Sequence, residues 1–225
     1  MFESITHIIY DLDGLLLDTE SLNERVNSEI VRRYGKTFNN DIKIAIAGTT
    51  AVNSAQTIIE TLDLPLTIEE YLRERNKLLY PLYATAKMLP GTIELVRHLA
   101  NHNIPQAIAT SSSRQNFAMK TVEHQDWLKY FETITLGDDP QIERGKPVPD
   151  IFLLTAKRLN AKPENCLVFE DSRSGMEAAI AAKMSIVVIP DPVLDKQLFS
   201  AADLVLNSMT EFEPGMITNY RSLTI

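Results

Sequence analysis

Asp11 and Asp13 stand two residues apart at the end of an apolar run that begins at Ile5 and is broken only by Thr6 and His7. A strand buried in a parallel sheet is apolar and β-branched, and residues i and i+2 of a strand point to the same side. The two carboxylates are therefore expected to face one pocket at the C-terminal end of a strand, where open α/β sheets bind their ligands. Carboxylates that close repel each other, and a divalent cation is the usual remedy. Gly14 then lets the chain turn out of the sheet. Taken alone, the stretch reads equally well as a strand closed by an Asp-Gly turn.

Three further groups sit at strand ends or in adjacent loops: Thr110 with Ser111 and Ser112, Lys146 between Gly145 and Pro147, and the pair Glu170 and Asp171. Together with Asp11 and Asp13 they are the parts of metal-assisted phosphoryl transfer. That chemistry needs a nucleophile, neutralisation of the phosphoryl oxygens and a proton for the leaving group. A carboxylate can act as nucleophile and form an aspartyl-phosphate. A hard cation such as Mg²⁺ takes one or two carboxylates together with phosphate and water. Hydroxyls and backbone N–H groups in a Thr-Ser-Ser turn can hold phosphate oxygens, and a lysine adds a fixed positive charge. Each piece alone has a plainer reading: Thr110 to Ser113 as a helix cap, Lys146 as one of 22 Lys and Arg residues on a solvated surface, Glu170 and Asp171 as a capped helix start. Caps do not explain all four in this order on successive strand ends.

The elements needed to bring them together follow from the hydrophobic pattern. Strands are expected at Ile5 to Tyr10, Pro105 to Thr110, Thr133 to Leu136, Cys166 to Phe169, Ser185 to Ile189 and, at an edge, Ala202 to Leu206. Helices are expected between them, at Thr92 to Asn101, Asn116 to Val122, Asp150 to Leu159 and Gly175 to Ala182. This alternation predicts an α/β fold with a doubly wound parallel sheet. All C-terminal strand ends then share one edge, so residues about 160 positions apart can line one cleft. Between the first strand and the rest lie four expected helices and no strand: Ser21 to Tyr34, Asp41 to Ala47, Ala51 to Leu62, and Thr67 to Leu79. Asp18 or Thr19 is expected to cap the first, and the last opens with the capping-box pattern Thr67-x-x-Glu70. An inserted helical subdomain is the economical account.

Composition narrows the function. The chain has 225 residues, 44% hydrophobic, and a formal net charge of −8. The charge argues against nucleic acid or an anionic membrane as main partner. The single cysteine, Cys166, allows no internal disulfide and no cysteine metal cluster, and it sits in an apolar strand. No signal peptide and no run of about 18 apolar residues is apparent. A cytoplasmic monomer acting on a small phosphorylated metabolite is the expectation.

The motifs Asp11-Leu12-Asp13-Gly14, Thr110, Lys146-Pro147 and Glu170-Asp171 resemble those of the haloacid dehalogenase-like hydrolases. So do Gly14 to Glu20, Met88 to Gly91, Gly145 to Phe152 and Phe169 to Ser172 with Gly175. The likeness is to the β-phosphoglucomutase-like branch, with a helical cap after the first motif. A closer likeness, to the pseudouridine-5′-phosphatases, rests on Leu136 to Pro140, Cys166 to Asp171, Thr85-Ala86 before Met88, and Leu204 to Ser208. The resemblance implies a Rossmann-like core from residues 1–18 and 86–225 and a substrate-selecting cap from residues 19–85. It implies Asp11 as nucleophile and Asp13 as acid and base, with its carbonyl on Mg²⁺. Thr110 and the Ser111 amide would hold phosphate, with Ser112 beside them, and Lys146 would bridge Asp11 and phosphate. Asp11, Asp13 and Asp171 would bind Mg²⁺, with Glu170 direct or through water. To donate a proton, Asp13 is expected to have a raised pKa. Asn23, Gly48, Thr49, Thr50 and Arg114 are expected to meet the leaving group. The cap loop from Ala47 to Ala51 holds no Lys or Arg, which counts against a mutase holding a second phosphate there. The reading is an Mg²⁺-dependent phosphatase for a sugar phosphate or a nucleoside 5′-monophosphate such as pseudouridine 5′-phosphate. The alternatives are a phosphosugar mutase and a non-catalytic metabolite binder.

Overall fold

The computed structural model describes residue 2 and residues 4–217. Of the expected core, residues 1, 3 and 218–225 lie outside this range. Among the described residues, six strands form one sheet: β1 (His7–Tyr10), β2 (Gln106–Thr110), β3 (Thr133–Leu136), β4 (Cys166–Glu170), β5 (Ser185–Val188) and β6 (Leu204–Val205). Their order is β3-β2-β1-β4-β5-β6, and every pair is parallel. β1 is thus central, and its end is flanked by the ends of β2 and β4. This is the doubly wound α/β, Rossmann-like architecture expected from the alternating pattern.

Period-two alternation divides the strands between two apolar layers. Ile8, Tyr10, Ile108, Leu167 and Phe169 face one side. There Tyr10 stacks on Phe169 at 5.2 Å, and its hydroxyl donates to Gln106. Ile9, Ala107, Cys166, Val168 and Ile186 face the other. Helix α5 (Thr92–Asn101), α6 (Arg114–Thr121) and the short α7 (Gln125–Leu128) lie between strands β1 and β3. α8 (Asp150–Arg158) and α9 (Arg173–Ala181) flank β4 in sequence. α8 sends Ile151, Phe152 and Ala156 into the second layer, and α9 sends Met176, Ala178 and Ala179.

Between β1 and α5 come α1 (Glu20–Arg32), α2 (Asn40–Ile46), α3 (Ala51–Leu62) and α4 (Ile68–Tyr83). These four helices enclose their own apolar cluster, including Val26, Ile30, Ile58, Tyr71 and Leu79. Their starts are chemically specified. Asn39, Thr50 and Thr67 each accept from a first-turn N–H, and Thr67 and Glu70 complete the capping box. At α1 it is Asp18, not Thr19, whose side chain accepts from an N–H, that of Ser21. α4 runs one turn past its expected end at Leu79, through Pro81. Proline costs a helix one hydrogen bond, but continuing the helix buries Leu79 and Tyr83 in the cluster. Both crossings into and out of the helical segment run side by side. Leu17 bridges Met88 in antiparallel fashion, Asp18 N–H donates to Lys87 O, and Leu89 N–H donates to Leu16 O. Among the described residues no helix is long and apolar enough to cross a membrane.

Candidate active site

A cleft of about 470 Å³ opens between the C-terminal strand ends and helices α1–α4. Asp11, Asp13, Thr110, Ser111, Lys146 and Asp171 line its sheet side. These residues come from three strand ends and one loop, and the order β2-β1-β4 is what makes them neighbours.

Asp11 lies at the floor and is 6% exposed. The Lys146 ammonium donates to Asp11 Oδ1 at 2.6 Å, to Glu170 Oε1 at 2.5 Å and to the Ala109 carbonyl at 3.1 Å. All three of its protons are thereby directed, and the Phe152 ring covers it at 4.9 Å. Burial alone would depress the Lys146 pKa, but the charges of Asp11 and Glu170 outweigh it and raise it. Burial pushes the Asp11 carboxyl up to about 7; Lys146 opposes that rise, while Glu170 and Asp13 add to it. The second oxygen of Asp11 accepts from the Asp13 N–H at 2.8 Å.

Asp13 differs from expectation: its carboxyl is lowered, not raised. Burial acts to raise it, but a residue not anticipated from the sequence reverses the balance. Lys120 of α6, itself buried, places its ammonium 2.6 Å from Asp13 Oδ1 and donates to Ser112 Oγ at 2.7 Å. Ser112 Oγ donates onward to Asp13 Oδ2 at 2.8 Å. Thr110 Oγ1 accepts the Ser112 N–H and lies 3.4 Å from Asp13 Oδ2. Ser112 and Thr110 therefore brace Asp13 as well as the turn; Ser111 is the exposed member facing the cleft.

Glu170 is wholly buried behind the cleft. Its Oε1 holds Lys146, and its Oε2 accepts from Asp171 N–H, Ser172 N–H and Ser172 Oγ. The residue expected beside the metal is instead saturated by protein donors. Gly175 makes this possible, since a methyl group there would overlap the Glu170 carboxylate. Asp171 does reach the cleft. Its carboxyl is pushed well above the usual range by burial and by Glu170, Asp11 and Glu20, with Lys146 opposing. Gly14, at φ +77°, lets the chain pass against the Asp171 carboxylate without a side chain in the way. Asp11 and Asp171 line the cleft together, with Asp13 beside them. Among the described residues no three acidic, His or Cys side chains form a ready-made cage.

On the helical side, Asn23, Gly48 and Thr49 line the cleft as expected, but Thr50 and Arg114 do not. Thr50 is occupied as the cap of α3. Arg114 is exposed and anchors its N–H on Asp138. The Ala47–Ala51 loop is neutral, but cations enter from helices instead. Lys43 of α2 pairs with Glu24 at 3.0 Å and with Asp191 at 2.8 Å, and Arg75 of α4 donates to Asn23 at 2.8 Å. In sequence both look like ordinary surface charges. Only the helix packing shows that they face inward. Phe38 from the loop between α1 and α2 and Ile44 from α2, with Val193, Leu194 and Leu198 from the segment after β5, give the cleft an apolar wall.

A buried carboxylate gripped by a lysine, a second carboxylate braced beside it and an open hydroxyl–amide turn thus meet at one edge of a Rossmann-like sheet. The chain belongs to the haloacid dehalogenase-like hydrolase family, whose pattern matches residues 8–189. It is 38% identical over 216 residues to (DL)-glycerol-3-phosphatase 1, mitochondrial, of Arabidopsis thaliana, covering 94% of this chain and 72% of that one. It is also 38% identical over 217 residues to a Drosophila melanogaster protein named probable pseudouridine-5′-phosphatase, covering 95% and 94%. Among solved structures, CbbY from Rhodobacter sphaeroides in complex with phosphate superposes with a TM-score of 0.69 at 26% identity, covering 92% of this chain and 96% of that one.

Proposed function

We propose that this protein is an Mg²⁺-dependent phosphatase that hydrolyses a small phosphomonoester through an aspartyl-phosphate on Asp11. The observation that carries the reading is the grip of Lys146 on Asp11 at the floor of the cleft. The ammonium holds one Asp11 oxygen, and Asp11 and Ser111 line the same cleft. A carboxylate oxygen of Asp11 attacks phosphorus, and the bond from phosphorus to the leaving oxygen breaks. Asp13 gives that oxygen its proton, then takes one from the water that hydrolyses the acyl-phosphate. Lys120 lowers the Asp13 carboxyl, and bound substrate works against that lowering. A dianionic phosphate arriving beside it is a like charge, and like charge draws a proton onto a carboxylate.

The cluster of Asp11 and Asp171 fits a hard cation. Burial and then its acidic neighbours push Asp171 well up, and a divalent cation held by Asp11 and Asp171 would relieve that. One or two carboxylates with water and phosphate is how Mg²⁺ is usually held. When bound, it neutralises charge on the phosphoryl oxygens. Glu170 acts as a positioning residue for Lys146.

Helices α1–α4, residues 19–85, are read as the cap that selects the leaving group. A cleft of about 470 Å³ lies within the range of small-molecule sites and is far larger than a phosphate group requires. With its apolar wall it favours a leaving group larger than a triose, such as a hexose or a nucleoside. The names of the relatives, one for glycerol 3-phosphate and one for pseudouridine 5′-phosphate, put both on the test panel. Phosphate release is to be measured from glycerol 3-phosphate, hexose phosphates, nucleoside monophosphates and pseudouridine 5′-phosphate, with Mg²⁺ and with chelator. Release that persists in chelator, or in Asp11→Asn, would overturn the reading. Isomerised hexose phosphate in the same tubes would favour a mutase.

A further inference from the structure

We infer that Lys120 is the positioning residue of Asp13, tying the acid–base carboxylate to the position of the helical cap. The inference rests on the phosphatase reading above and adds a residue that plays no part in that reading. Lys120 sits in α6, 107 positions from Asp13 in sequence, and does not line the cleft. Its ammonium reaches Asp13 from behind at 2.6 Å, so it does not compete with substrate for the open side. With Ser112 it forms a closed triangle of hydrogen bonds, 2.6, 2.7 and 2.8 Å on its sides, that grips both Asp13 oxygens. A carboxylate gripped at both oxygens has its rotamer and its free lone pairs fixed.

The other face of the ammonium lies 4.7 Å over the ring of Tyr83, the last residue of α4. Met119, the neighbour of Lys120 in α6, packs on the apolar cluster of α1–α4. One buried cation therefore touches the acid–base carboxylate on one side and the cap on the other. A buried ion pair is seldom kept for stability, because an apolar pair of similar volume is often as stable. Here the pair has a geometric task. It presents Asp13 to the leaving oxygen when the cap is seated, and afterwards to the attacking water.

The role predicts a split between the two chemical steps. In the first step p-nitrophenolate leaves without needing a proton from Asp13, whereas an alkoxide does not. In the second step every substrate needs Asp13 as base. Rapid-mixing kinetics of wild type, Lys120→Met and Asp11→Asn would be run with p-nitrophenyl phosphate and with glycerol 3-phosphate, all with Mg²⁺. We expect Lys120→Met to release one equivalent of p-nitrophenolate at the wild-type rate and then turn over about 10²-fold more slowly. With glycerol 3-phosphate we expect no burst, a similar loss in kcat and little change in KM. If Lys120→Met proves unfolded, Ser112→Ala removes one side of the triangle and should show the same pattern, weakened to about 10-fold. Equal slowing of both substrates with a reduced burst would mean a structural role and overturn the inference. So would a raised KM with kcat intact, which would mean a phosphate anchor, and so would wild-type behaviour. A burst persisting in Asp11→Asn would instead bring down the aspartyl-phosphate reading, and the Lys120 inference with it.

Discussion

Asp11 and Asp13 sit two residues apart, yet their surroundings push them in opposite directions. Burial pushes Asp11, which shares its cation with Glu170, up to about 7, whereas Lys120 outweighs burial at Asp13 and its carboxyl is lowered. For Asp11 the folded pKa exceeds the unfolded one, so the folded state holds the extra proton. Its contribution to stability is full below the unfolded carboxylate range and is lost as pH rises toward about 7. In chelator, Asp11→Asn should therefore gain thermal stability over wild type as pH goes from 5 to 8; calorimetry at the two pH values tests this. In Mg²⁺ the same variant should lose at least about 10³-fold in phosphate release. Lys146→Met should be inactive and less stable by about 3–5 kcal/mol, since it strands two buried carboxylates; denaturant melts and phosphate release are the readouts. Of these residues Asp11, Asp13 and Asp171 were legible at strand ends, and Lys146 in a Gly-Lys-Pro loop, each in a motif whose residue types have few other uses. Lys120 was not, because its partner is reached only through folding. The faint signal was a lysine set between Met119 and Thr121, and Lys120 and Thr121 are the buried pair of α6.

At the scale of elements, β4 and α9 act as one unit. Glu170 closes β4, and its carboxylate takes the N–H groups of Asp171 and Ser172, while Ser172 Oγ caps α9. Gly175→Ala would drive a methyl group into that carboxylate and, through it, displace Lys146. It should cost about 1–3 kcal/mol and a larger share of kcat than its stability loss explains, as shown by kinetics well below the melting point. Thr67→Ala is the contrasting change. It breaks the α4 capping box far from the cleft and should lower stability by about 1 kcal/mol with kcat unchanged. The strands and helices were legible because hydrophobic period and cap chemistry agree along most of the chain. The pattern misled at Pro81, where burial of Tyr83 outweighed the proline, and it blurred at β6, which shrinks to Leu204–Val205 at the sheet edge. The inward faces of α2 and α4 were not legible, because Lys43 and Arg75 look like solvated charges until the helices are packed.

Across the whole molecule, Lys43 links the helical segment to the segment after β5 through Asp191. Both side chains are about a quarter exposed, so the pair adds about 0–1 kcal/mol to stability and weakens with salt. Asp191→Asn should leave the melting temperature nearly unchanged yet alter KM, and raising ionic strength should move wild type toward the variant. The larger exposed apolar side chains, among them Val52, Val122, Leu153 and Ile180, come from different elements. A monomer near 25.3 kDa is the expected result of light scattering.

The paired crossings at Leu16–Asp18 and Lys87–Leu89 carry a consequence beyond catalysis. The chain departs from the sheet and returns to it at neighbouring positions, about one strand spacing, roughly 5 Å, apart. To the sheet, everything between those points is a passenger whose two ends must simply meet. The junction is therefore a socket. A different helical module with its ends that close could be spliced in, and the hydrolytic machinery could acquire a new clientele without a change to any strand.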